Sequence, residues 1–119
     1  MMEIRNLDRD AMPFTTVDGS TIREIMHAAH QSLAEASLPA GGATIRHWHA
    51  EAEELYLILS GTARMEVDGE SRTIAAGDCV LIPPGARHTI EALEDLRFLC
   101  CCAPPYRDDD TFFDGAPSG

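Results

Sequence analysis

Apolar runs in this chain are short, and Gly, Pro or Asp breaks them every few residues. Segments 32–38, 43–49, 55–59, 63–67, 72–74, 80–82, 88–92 and 97–102 read as strands. Between them lie Pro39-Ala40-Gly41-Gly42, Ser60-Gly61, Asp68-Gly69, Ala76-Gly77-Asp78 and Pro83-Pro84-Gly85, all turn chemistry. Asp68-Gly69 between Val67 and Glu70 has the signature of a tight hairpin. Many short strands joined in this way predict an all-β sandwich or barrel. A helical turn or two capped by Ser20 is expected within 20–29.

The 119 residues hold one domain. We divide them into an N-terminal arm (1–30) packing on the barrel or on a partner, a barrel (31–106) and a partly mobile tail (107–119). Tyr106, Phe112 and Phe113 suggest that the first part of the tail docks back on the body.

Charge narrows the partners. Twenty acids against nine bases give a formal charge of −11, which repels phosphate backbones and anionic lipid. No nucleic acid and no membrane partner is expected. All nine cations are arginine, so chemistry that needs a lysine amine is excluded. The first residues are charged and have no signal-peptide core, and Cys100, Cys101 and Cys102 in a row make a poor disulfide framework. Both point to the cytoplasm. On a strand, Cys100 and Cys102 share one face and Cys101 the other.

The chemistry concentrates in 41–54. His47 and His49 on a strand put two imidazoles on one face, about 6–7 Å apart along the chain, so both can turn toward one ion. A carboxylate from the next strand and a further histidine could complete a shell; His88 is the only other histidine in the β-rich region. Fe, Mn, Co, Ni and Zn all accept mixed nitrogen and oxygen donors.

These intervals resemble the cupin superfamily. Its first motif is Gly, five residues, His-x-His, three or four residues, Glu, six residues, Gly, which Gly41, His47, His49, Glu54 and Gly61 satisfy. Its second is Gly, five residues, Pro-x-Gly, two residues, His, three residues, Asn. Gly77, Pro83, Gly85 and His88 satisfy that, with Ala92 in place of the Asn. The resemblance implies a small antiparallel, jelly-roll-like cupin β-barrel with a short N-terminal arm. It also implies one divalent transition metal per chain (Fe, Mn, Ni, Zn or Co), held by His47, His49, Glu54 and His88 with two positions open.

Glu53 and Glu54 compete for the inward position. Plain hydrophobic alternation turns Leu55, Leu57 and Leu59 inward with Glu53, whereas the six-residue interval to Gly61 selects Glu54, with Tyr56, Ile58 and Ser60. We follow the interval. A cavity lined by Ile45, Ile58, Met65, Ile90 and Phe98 is then expected, with Tyr56 as its polar handle and proton donor. No arginine points inward in this register, which suits a small, partly apolar molecule that chelates through oxygen better than a phosphosugar. The three leucines face outward, and a homodimer is the economical cover for them. The expected function is that of a small metal-dependent enzyme, dioxygenase-like or of other oxygen-chelate chemistry. The alternatives are a metal-dependent isomerase, decarboxylase or lyase, or a non-catalytic sensor or storage cupin.

Overall fold

A computed structural model describes residues 1–114; the last five residues of the tail, part of the segment expected to be mobile, lie outside the described residues. The chain runs through a short helix α1 (Leu7–Asp10) and strands β1 (Phe14–Thr15), β2 (Thr21–His27), β3 (Ser32–Leu38), β4 (His47–His49) and β5 (Glu53–Ser60). It continues with β6 (Thr62–Val67), β7 (Glu70–Ala75), β8 (Cys79–Ile82), β9 (His88–Ala92) and β10 (Leu96–Ala103). A 3-10 turn at Asp108–Asp110 leads into β11 (Thr111–Phe113). Among the described residues no helix is long and apolar enough to cross a membrane.

Two antiparallel sheets face each other as in a jelly roll. One has the order β1-β2-β3-β10-β5-β8 and the other β11-β4-β9-β6-β7. Val67 pairs with Glu70 across Asp68-Gly69, whose φ values of 48° and 86° are those of the expected hairpin turn. Gly61 is required where β5 hands over to β6. Its φ is +90°, and a Cβ there would lie 2.3 Å from the Asp95 carbonyl oxygen.

β5 alternates exposed and buried residues from Glu53 to Ile58, with Glu54, Tyr56 and Ile58 inside. Ile58, Ile82, Ile90 and Phe98 are the large apolar residues buried between the sheets. Each contributes roughly 1.5–3 kcal/mol by leaving water. The alternation fails at the end of the strand. Arg97 pairs with Ser60 but Phe98 with Ile58, so Leu59 is an extra residue in a bulge, and Ser60 is exposed instead of inward.

The helical turn expected within 20–29 is instead β2, which pairs with β3 from Thr21↔Ser37 to His27↔Ser32. The free edge of β3 satisfies the backbone of this segment, and that long-range pairing overrides a weak local preference. Ser20 does not cap a helix; it is buried and bonded to Asp18. The tail returns through β11 to pair with β4, Phe112 opposite Trp48 and Phe113 opposite His47.

Candidate metal centre

β4 carries His47 and His49 on its inner face and Trp48 on the outer, where Trp48 stacks on Phe112 and lies 4.1 Å beneath the Arg87 guanidinium. His88 opens β9 as the cross-strand partner of His47. Glu54 enters from β5 in the opposite sheet. All four are buried, and their ligating atoms lie within 4.8 Å of one another. Glu53 is exposed on the other side of its strand.

Each imidazole is oriented by its own backbone acceptor. His47 Nδ1 lies 2.6 Å from the Ile45 carbonyl oxygen, His49 Nδ1 3.0 Å from that of Asp110, and His88 Nδ1 2.9 Å from that of Ala86. A carbonyl can only accept, so each Nδ1 carries its proton. The three Nε2 atoms then point at the shared space, the orientation that metal-binding histidines require.

Glu54 Oε1 is 2.8 Å from His49 Nε2 and 3.3 Å from His88 Nε2, yet neither it nor His88 Nε2 makes a hydrogen bond. Orphaned buried polar atoms are costly, and a cation at their common focus removes the cost. Three imidazole nitrogens and one carboxylate oxygen fit a borderline divalent ion.

The charges agree. Burial works to raise the Glu54 pKa, but His49 and His88 outweigh it and hold the carboxyl well below its usual range, so it stays ionised. Burial, and then the like charge of His88, push His47 down and keep it neutral. Burial also works against protonating His49, yet the facing Glu54 carboxylate prevails and its pKa is raised.

His47, His49 and Glu54 line a cavity, walled also by Asp18, Ser20, Ile22, Glu24, Tyr56, Phe98, Cys100, Cys102 and Tyr106, while His88 lies behind them in the buried layer. The centre of a water molecule has about 40 Å³ in which to move there, room for an ion with two or three small ligand atoms. No arginine is among these residues. Arg46 and Arg87 bind Asp114, and Arg23 and Arg97 bind Glu35.

Of the apolar wall expected from sequence, Phe98 lies on the cavity, and Tyr56 with it. Ile58 and Ile90 are sealed in the core, and Met65 borders a separate opening between β7 and β8. Ile45 is 56% exposed. The expected strand 43–49 is regular only over His47–His49, so strand alternation does not extend back to Ile45, whose N–H is held by the Asp18 carbonyl at 2.7 Å.

Two acidic residues were missed from sequence. Asp18 stands in the cavity: its Oδ1 accepts from Ser20 N and Oγ, at 2.9 and 2.7 Å, and from Thr16 Oγ1. Its Oδ2 lies 3.6 Å from His47 Nε2. Asp18-Gly19 shows only as a turn in the sequence. Asp110, one of three aspartates in a row, is buried, and its carboxylate accepts the N–H groups of Ala50, Glu51 and Ala52.

Residues 34–102 match the cupin domain family. An uncharacterized protein of Methanocaldococcus jannaschii is 43% identical over 106 residues, 83% of this chain and 85% of that one. The oxalate decarboxylase OxdC of Bacillus subtilis is 35% identical over 80 residues, 63% of this chain but 20% of that much longer one. The structure of KdgF from Halomonas sp. superposes with a TM-score of 0.81 at 20% identity, covering 92% of this chain and 98% of that one.

Proposed function

The chain belongs to the cupin domain family, and on that premise we propose that it is a metal-dependent enzyme acting on a small, partly apolar organic molecule that chelates the ion through oxygen. The observation that carries this reading is the shared orientation of three buried imidazoles, each fixed through Nδ1, with Nε2 of His49 and His88 facing Glu54 Oε1 and Nε2 of His47 facing Asp18 Oδ2. His47, His49, Glu54 and His88 would hold the ion, which when bound acts as a Lewis acid on a ligated oxygen or brings substrate and dioxygen together.

The chain's own groups do the rest. Phe98 and Ile22 offer apolar surface to the substrate. Asp18 and Glu24 add negative charge to the wall, which disfavours phosphates and other polyanions. Asp18 Oδ2 is placed to take a proton from a molecule bound beside His47, its other oxygen being held by Ser20 and Thr16. Tyr56 is proposed as the proton donor because its phenol borders the cavity; burial raises its pKa, so it stays protonated and offers its O–H to an oxygen bound there.

The similarity to oxalate decarboxylase favours a second reading, decarboxylation of a small carboxylic acid in the same site. We assign the protein to a reducing compartment, the cytoplasm, in keeping with its four free cysteines. The test is to measure the metal in protein from its native host, then follow oxygen uptake and carbon dioxide release with small carboxylic acids and diketones. Oxygen uptake abolished by His47→Ala with His49→Ala supports the first reading. Carbon dioxide release without oxygen uptake supports the second. Stoichiometric metal with neither, across the panel, leaves the non-catalytic binding cupin.

A further inference from the structure

Glu54 uses only one of its oxygens toward the histidines. The other, Oε2, faces β10, where Cys102 is its cross-strand partner and Cys100 lies on the same face of the strand. Cys100 Sγ is 3.0 Å and Cys102 Sγ 3.5 Å from Oε2, and the two sulfurs are 3.7 Å apart. All three residues border the cavity, and their ligating atoms form a compact group that shares only Glu54 with the histidine set.

We propose that Cys100, Cys102 and Glu54 Oε2 form a second metal position, thiolate-rich and selective for zinc-like ions. Metal–sulfur bonds of about 2.3 Å at tetrahedral angles put two sulfurs about 3.8 Å apart, and a carboxylate oxygen at about 2.0 Å lies about 3.5 Å from each. The observed 3.7 and 3.5 Å match two edges of that triangle, and the 3.0 Å edge is only slightly compressed. Two sulfurs with one oxygen select zinc or cobalt over magnesium, calcium or manganese.

Entry of a divalent ion replaces the two thiol protons, which leave to solvent, so two metal–sulfur bonds form as two S–H bonds break and nothing is oxidised. With both positions filled, Glu54 would supply one oxygen to each ion, since Oε1 faces the histidines and Oε2 the thiols. The two thiolates, Glu54 and Asp18 then offset the charge of two divalent ions. The site stands on its own geometry and does not require the histidine position to be filled.

The experiment is an anaerobic titration of the reduced, metal-free chain with cobalt(II), reading equivalents bound and thiolate-to-cobalt charge transfer in the near ultraviolet. Two equivalents are expected, with the charge-transfer band belonging to one of them. Cys100→Ser with Cys102→Ser should bind one equivalent and lose the band. Cys79→Ser with Cys101→Ser, which removes the two thiols not bordering the cavity, should keep it in full. His47→Ala with His49→Ala should bind one equivalent and keep the band. A band with one equivalent in the unaltered chain supports the thiolate position and counts against the histidine centre. Absence of the band at saturation in the unaltered chain, or its loss with Cys79→Ser and Cys101→Ser, overturns the proposal, as does its survival in Cys100→Ser with Cys102→Ser.

Discussion

Asp110 holds His49 in place although the two are far apart in sequence. Its carbonyl oxygen lies 3.0 Å from His49 Nδ1, and its carboxylate accepts the N–H groups of Ala50 and Ala52, at 3.0 and 3.1 Å, and that of Glu51. The tail thus sets both the tautomer of His49 and the loop that leads to Glu54. Asp110→Ala leaves three N–H groups without their acceptor. It should cost roughly 2–4 kcal/mol of stability and lower metal affinity 10–100-fold. Thermal denaturation and metal titration of the variant check this; unchanged affinity would show that the loop held by the Asp110 carboxylate does not help to position the site.

Glu54→Gln keeps the shape of the side chain but removes the charge that faces His49 and His88. Metal affinity should fall by at least about tenfold. Glu53→Gln, on the exposed side of the same strand, should leave it within twofold. Equal losses in the two variants would contradict the assignment of Glu54 as the ligand.

Metal affinity should rise with pH. The raised pKa of His49 means that in the metal-free protein it holds a proton above its ordinary value of 6.5, and that proton must leave for Nε2 to bind. His47, with a lowered pKa, competes only below 6.5. Affinity should therefore fall about tenfold per pH unit for each proton displaced on acidification through the histidine range. Calorimetric titration in buffers of different ionisation enthalpy counts the protons, and a pH-independent affinity would refute the expectation.

The outer face of the first sheet shows Leu55 (43% exposed), Leu57 (37%) and Leu81 (55%). Leu55 and Leu81 are cross-strand partners, so the patch is continuous. The N-terminal strands do not cover it; they extend the sheet at the β3 edge. A two-fold pair through this face is expected, each leucine contributing roughly 1.5–3 kcal/mol before the entropy of association. Light scattering should find a dimer at micromolar concentration and a folded monomer for Leu57→Glu. A monomeric unaltered chain would remove the interface.

What the residues by themselves determined is what depends on local geometry. Period-two alternation and the interval to Gly61 set Glu54, Tyr56 and Ile58 inward, and His-x-His on a strand put both imidazoles on one face. Gly61 and Gly69 adopt the left-handed φ that their turns need. Even here the bulge at Leu59 reversed Ser60, because an extra residue on one strand is visible only once its partner is in place.

Tertiary structure decided everything that depends on distant segments meeting. Residues 21–27 are a strand because β3 offered an edge, and Ile45 is outside because Asp18 takes its N–H. Asp18, Asp110, Cys100 and Cys102 gained their places around the histidines through pairings and turns that no spacing within the motifs encodes. A short spacing specifies which face a side chain takes. What it meets there depends on the fold of the rest of the chain.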